Sequence, residues 1–175
     1  PVLESVLELG TSPPEPVLLL GIDLFSEAPF RGYEFSRGLQ TETAQVTAFL
    51  TQPDTVLVSA PLAEKMRLKV GDHLPLVAGA RPRTVRVAGI FRTPGNLYPF
   101  AGAVLLMDIG QAQEFLDRLG RLDYVDLLVQ GEPEAAATQL QAYLPAGVEV
   151  VPPAAQVRHL QGLVAAYRLN LSVLS

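Results

Sequence analysis

The sequence predicts an α+β fold, and three observations carry that expectation. Short strand-like runs alternate along the chain with short helical patterns. Of the 175 residues, 49% are hydrophobic and only 18% charged, which suits a packed core and is too apolar for a disordered chain. The 14 glycines and 15 prolines fall mostly between the periodic segments, where turns belong. A chain of this length holds one substantial core or two small subdomains.

Residues 2–9 and 16–22 read as strands, separated by the breaker cluster Gly10-Thr11-Ser12-Pro13-Pro14. Residues 23–40 form a Gly/Pro/aromatic stretch without a clear period and are expected to be an ordered loop. A modest helix is expected over 43–50, ending before Pro53. Thr55-Val56-Leu57-Val58 reads as a buried strand, and Ser59 is placed to cap a helix whose first turn holds Pro61. Leu62, Ala63, Met66 and Leu68 give that helix an apolar stripe, and Gly71-Asp72 turns the chain.

Two strands follow over 73–78 and 83–91. In the second, Val85, Val87 and Gly89 alternate with Thr84, Arg86 and Ala88, a half-buried pattern. Residues 93–102 are expected to be a long loop and 103–107 a strand. Asp108 is placed to cap a helix running through Leu119 to Gly120. Residues 124–130 read as a strand, 133–144 as a helix, and 148–151 as a last short strand. After Pro152-Pro153 an apolar-striped helix (Val157, Leu160, Leu163, Val164, Tyr167, Leu171, Leu174) runs to the end.

Composition excludes several function classes. The net charge of −5 argues against a nucleic-acid surface or a polybasic membrane anchor. With no cysteine, disulfides, thiolate metal sites and cysteine nucleophiles are impossible. The opening residues alternate like a strand and lack the charged start of a secretory leader. No run reaches the ~20 apolar residues that span a bilayer. A start on a strand without Met, and a stop inside an apolar helical pattern, are expected of a piece of a longer chain.

No catalytic signature is present. The only histidines, His73 and His159, have no carboxylate or serine partner at a telling spacing. The carboxylate pairs Asp123/Asp126 and Glu132/Glu134 lie at a strand entrance and a helix start, where capping and solubility explain them. There is no phosphate-binding glycine loop and no metal-binding helix motif, so neither a cofactor nor a metal is expected. The remaining enzymatic reading is a hydrolase using Asp123 or Asp126 with His73, which requires those groups to converge in one cleft.

Two features point to surfaces. The stretches holding Phe25, Phe30, Tyr33 and Phe35, and then Leu97, Tyr98 and Phe100, carry large side chains between glycines and prolines. Such residues serve partner contacts or cover the ends of a small barrel. In the terminal helix, Leu169, Leu171, Val173 and Leu174 begin to fill the polar face, directly after Tyr167 and Arg168. A helix apolar all round is entering a core or a bilayer.

The chain also carries a family likeness. Val56-Leu57-Val58-Ser59-Ala60-Pro61-Leu62-Ala63-Glu64-Lys65-Met66-Arg67-Leu68-Lys69-Val70-Gly71-Asp72 resembles the "I-S-x-x-L-A-x-x-L-x-x-x-x-G-D" pattern of the periplasmic core in MacB/FtsX-like ABC transporter permeases. Val87-Ala88-Gly89-Ile90 is similar to the "V-x-G-I" that follows it, Gly21-Ile22-Asp23 to an upstream "G-V-D". The closing Ala166-Tyr167-Arg168-Leu169-Asn170-Leu171-Ser172 is similar to the "F-x-x-N-L" that leads into a membrane helix. The family's opening strand and helix are missing from this stretch.

The resemblance implies a domain between two membrane helices, on the extracytoplasmic (periplasmic or extracellular) side. It implies two lobes: a porter-like α/β lobe from residues 1–15 and 121–160, and an inserted β-rich, barrel-like lobe from 16–120. A helix over 154–175 would lead into a transmembrane segment through Tyr167, Arg168 and Leu171. The implied role is mechanotransmission in substrate export, lipoprotein release or partner activation. Implied partners are an ABC ATPase subunit or domain, a second permease in a homo- or heterodimer, and an extracytoplasmic protein or lipoprotein; nucleic acid is not expected. The competing non-enzymatic reading is a stand-alone small-barrel binding module.

Overall fold

The computed structural model describes residues 1–27, 34–35, 39–78, 81–92 and 102–151. The strands are β1 (Val2–Leu9), β2 (Glu15–Ile22), β3 (Glu34–Phe35), β4 (Thr55–Ser59), β5 (His73–Ala78), β6 (Arg81–Arg92) and β7 (Val104–Asp108). The helices are α1 (Leu24–Glu27), α2 (Leu39–Thr51), α3 (Ala60–Met66), α4 (Ile109–Phe115) and α5 (Pro133–Gln141). The sheet order is β3-β6-β4-β7-β2-β1-β5, and β5 also pairs with β6. That extra pairing closes six of the strands into a barrel and leaves β3 as an appendage on the far end of β6. The fold is therefore α+β, as expected.

Pattern and burial agree along the barrel. Leu3, Leu7, Leu19, Val56, Leu74, Leu76, Val85, Val87, Leu105 and Met107 form the inner core. The opposite faces of β2, β4 and β7 are also buried, with Leu18, Leu20, Leu57, Val104 and Leu106 packed around Phe49 of α2. This two-sided burial explains why these three strands read as unbroken apolar runs, whereas β5 and β6 alternate. Each buried leucine contributes roughly 2 kcal/mol relative to an exposed one.

Two short helices stopper the barrel. Leu62 and Ala63 of α3, and Ala112 and Phe115 of α4, belong to the inner core. Since β4 and β7 run antiparallel, the helices that follow them sit at opposite mouths. Arg83 stacks over the Phe115 ring at 5.0 Å from its centroid. At α4 the packing is tight because β2 carries Gly21, where a Cβ would lie 2.5 Å from the Ala112 Cβ.

Several local expectations change. Pro61 stands in the first turn of α3, and Ser59 holds the N-cap position without a side-chain cap hydrogen bond. Its hydroxyl donates to the Gly102 carbonyl (2.6 Å) and accepts from the Val104 amide (3.2 Å), tying β4 to the start of β7. Asp108 does cap α4, accepting from Gly110 and Gln111. That helix ends at Phe115 instead of Leu119, because Asp117 turns left-handed (φ 57°) and the Arg118 amide bonds back to Gln113. Residues 23–40 contain α1 and β3 beyond the expected loop, and α2 starts earlier than residue 43.

The described residues fall into two compact units, Pro1–Asp126 and Leu127–Ser175. β1 pairs with β2 along its full length, within the first of these units. In the second unit α5 starts on Pro133 and stops at Gln141, short of Leu144. The Gln141 side chain holds the Val148 carbonyl (2.8 Å) and the Val150 amide (2.9 Å). Residues 148–151 form no strand, and neither do 125–130, whose Val125, Leu127, Leu128 and Val129 are exposed. The pattern there is strand-like, but no partner edge meets it among the described residues. Tyr124 alone bridges to Val2.

Gly21→Ala is expected to lower the unfolding free energy by about 1–3 kcal/mol through overpacking against α4. Combining it with Ala112→Gly should cost less than the sum of the two single changes. Strict additivity in urea unfolding would show that the close approach is not a constraint.

Candidate functional site

The expected catalytic groups do not converge. Leu9, at the far end of β1, faces Leu76 of β5, and His73 lies three residues beyond it on an exposed position. Asp123 binds the near end of β1, at Glu4. Glu4 and Leu9 alone are separated by about 17 Å of extended chain. His73 and Asp123 thus occupy opposite ends of the strand and do not share a cleft. His159 lies outside the described residues. No group of three or more His, Asp or Glu side chains capable of holding a metal occurs among the described residues.

Asp123 instead completes a sheet edge. The amide of Val2 donates to the Tyr124 carbonyl (2.8 Å), and the Asp123 and Tyr124 amides donate back to Val2. Two residues along, at Glu4, side chains bond to the β1 backbone. The Asp123 carboxylate accepts from the Glu4 amide (2.7 Å), and the Arg118 guanidinium donates to the Glu4 carbonyl (3.3 Å). Arg118 and Asp123 are held together in a fork of two bonds, 2.7 and 3.2 Å. Past this point β5 takes over the edge at Glu8 and Leu9. The clamp therefore fixes the place where the chain enters the barrel against the place where it leaves.

Burial pushes the Asp123 carboxyl up. The Arg118 hydrogen bonds, the Glu4 amide and the Arg118 charge together outweigh that, and hold it below the ordinary aspartate range. The same contact raises Arg118 further. Glu132 and Glu134 open α5, where their charge suits the helix N-terminus.

Of the expected partner surface, Phe25 is described fully. It lies on α1 with 78% of its surface exposed. The turn beneath it is built by Asp23, whose carboxylate accepts from the Phe25 amide (3.1 Å) and whose carbonyl accepts from Ser26. Phe35 is placed through its backbone, opposite Phe91 on β6. Phe30, Tyr33, Leu97, Tyr98 and Phe100 lie outside the described residues, as do Tyr167, Arg168 and Leu171 of the terminal helix. No described helix is long and apolar enough to cross a membrane.

The sequence reading missed a shallow depression of about 370 Å³ between α3 and the end of β6. Ala60, Ala63 and Ile90 line it together with the cationic Arg67, Lys69 and Arg92. Glu64 neutralises part of that charge through a 3.2 Å ion pair with Arg92. Helix-to-strand packing brings these cations together from positions 23 to 25 residues apart, so no local pattern announces them.

The two family-like motifs meet in the structure. Gly71 adopts φ 98°, and the Asp72 carboxylate accepts from the Lys69 amide (2.8 Å), closing a tight turn. That turn is pinned to β6, with the Gly71 amide donating to the Val87 carbonyl and the Val87 amide to the Asp72 carbonyl. Gly89 gives room to Leu57 and Gln45, because a Cβ there would lie 2.9 and 2.6 Å from their side-chain atoms.

Comparison with known proteins locates this arrangement. No family model matches the chain. An uncharacterized ABC transporter permease protein of Mycobacterium tuberculosis (strain ATCC 25618 / H37Rv) is 34% identical over 158 residues, covering 89% of this chain. The chain spans only 18% of that relative's length. A crystal structure of a domain from a candidate permease protein of Porphyromonas gingivalis aligns with a TM-score of 0.44 and 22% identity. That alignment covers 80% of this chain and 58% of that one, and is too loose to support an argument.

Asp123→Asn is expected to cost about 1 kcal/mol near neutral pH, kept modest by the one-third exposure of both partners. A depressed carboxyl stabilises the fold above its unfolded pKa and loses that contribution as the pH falls through its folded value. The gap between the parent and Asp123→Asn should therefore close in acid. Coincident urea curves at neutral pH would show that the clamp adds nothing.

Proposed function

From the premise that this chain is an ABC transporter permease-related domain, we propose that it is the extracytoplasmic domain of a MacB/FtsX-like permease and transmits motion instead of catalysing a reaction. The observation that carries the proposal is the clamp, in which Val2 and Tyr124 are bridged and Arg118, Asp123 and Glu4 are bonded. A unit whose incoming and outgoing chains are fixed side by side suits insertion into a larger protein. A closed, stoppered barrel deforms little, so displacement applied at that pole moves the unit as a body.

In this reading the barrel is the inserted lobe, and residues from Leu127 onward belong to a porter-like lobe together with parts of the longer permease. The helix over 154–175, with Tyr167, Arg168 and Leu171, links the domain to a membrane span. ATP hydrolysis belongs to a partner ABC ATPase subunit or domain, and the permease works as a homo- or heterodimer. Phe25, Phe30, Tyr33, Phe35, Leu97, Tyr98 and Phe100 form the surface that meets a transported substrate, a lipoprotein or another extracytoplasmic partner. Export, lipoprotein release and partner activation are the outputs such motion serves.

The exposed Phe25 provides the test, since this chain has no cysteine of its own. In the full-length permease, Phe25→Cys should react with a membrane-impermeant maleimide on intact cells. Labelling only after the membrane is broken, or recovery of the protein in the soluble fraction, would overturn the proposal and favour the stand-alone binding module. Separately, Phe25→Ala should leave the stability of the domain within about 0.5 kcal/mol of the parent while lowering transporter output. Unchanged output would remove Phe25 from the contact surface.

A further inference from the structure

In a chain of net charge −5, three of the side chains lining the depression between α3 and β6 are cations. Glu64 is the single carboxylate among the lining residues, and it takes up Arg92 alone. That pair is exposed, at 71% and 70% of its two side chains, where an ion pair is weak and opens readily. Arg67 and Lys69 have no ion pair among the described residues. Arg67 also stands where glycine is the usual residue. It ends α3 in the left-handed conformation (φ 55°), which disfavours a side chain with a Cβ. Strain of this kind gathers at functional sites, and here it keeps a long cation beside the depression.

The cations are spread along β6. The turn that carries Lys69 is bonded through Gly71 and Asp72 to Val87, and Arg92 lies five residues further along the strand. Five residues of strand measure roughly 16 Å, which a phosphate or a single carboxylate cannot bridge. Ile90 falls between these two anchor points, and Leu68 adds a second large apolar side chain to the lining. A matching occupant has two carboxylates four residues apart with apolar residues between them. Four residues of extended chain span roughly 13 Å and put both carboxylates on one face. The long arginine and lysine side chains cover the remaining distance.

We propose that the depression between α3 and β6 binds an extended acidic segment of a partner protein. One carboxylate of that segment meets Arg67 and Lys69, and a second draws Arg92 away from Glu64. The apolar residues between the two carboxylates pack on Leu68 and Ile90. An acidic chain with a cationic depression attracts such a segment locally and repels it elsewhere, which sets where it docks. The proposal needs only the depression and is independent of the permease reading.

The experiment is fluorescence anisotropy on the full-length protein in a non-ionic detergent, with the end-blocked, fluorescein-labelled peptide Gly-Glu-Val-Ala-Val-Glu-Gly. Binding should saturate below about 1 mM peptide and weaken as salt rises. Lys69→Ala and Arg92→Ala should each weaken it about threefold. Glu64→Gln should strengthen it by a similar factor, a gain that a merely unfolded variant cannot show. Arg67→Gly should weaken binding while leaving the thermal midpoint equal to the parent's or above it. Equal binding of Gly-Val-Glu-Glu-Val-Ala-Gly, which has the same composition with adjacent carboxylates, would overturn the proposal. So would the absence of saturation, or binding that these substitutions leave unchanged. Displacement of the peptide by equimolar soluble dihexanoyl phosphatidylglycerol would assign the depression to a lipid headgroup instead. A smaller oligomer on Lys69→Ala, with no peptide bound by the parent, would assign it to contacts between copies. Either result overturns the partner segment.

Discussion

Closure of the barrel depends on β6. This single 12-residue strand serves β5 with its first half and β4 with its second, and at Arg86 it faces both His73 and Thr55. A sheet closes only if its first and last strands pair, so β6 must bend enough to meet β5 as well as β4. The bend is visible as a shift in register between Val56 and Leu57, where Ala88 is left over on β6. Gly89 follows it and leaves the space into which Leu57 and Gln45 pack. The Gly71-Asp72 turn braces the same stretch from outside by holding both backbone groups of Val87. The two segments that resemble the permease patterns are thus one physical device.

The opposite problem arises at β1, whose outer edge β5 covers only at Glu8 and Leu9. An open edge invites pairing with foreign chains. Here it is closed by two amides and a carbonyl from residues 123 and 124, then by a carboxylate and a guanidinium that imitate a strand. That solution places the two ends of the barrel unit together. The clamp and the two stopper helices brace the same compact unit.

Much of the barrel was legible because burial and period speak the same language there. β1, β2, β4, β5 and β7 were expected to within a residue or so of their observed ends. Asp108 and Pro61 marked helix starts because their roles are local. Ser59 misled because its hydroxyl found a better partner across the sheet in Gly102 and Val104. Residues 125–130 misled in the other direction: period alone signals a strand, but a strand also needs an edge to pair with. Of the aromatic residues expected at a surface, Phe25 is the one whose side chain is described, and it is exposed.

By itself the sequence determined the α+β class, the apolar faces of the barrel strands, the turn at Gly71-Asp72 and the absence of thiol chemistry. Each of these is written in neighbouring residues, through side-chain period, permitted backbone angles or simple composition. Only the tertiary structure decided that β5 and β6 close the sheet, that Arg118 and Asp123 bond to the β1 backbone at Glu4, and that Arg67, Lys69 and Arg92 share one depression. Those arrangements join residues distant in the chain, and a side chain's partner across such a distance is set by packing, which no local pattern encodes.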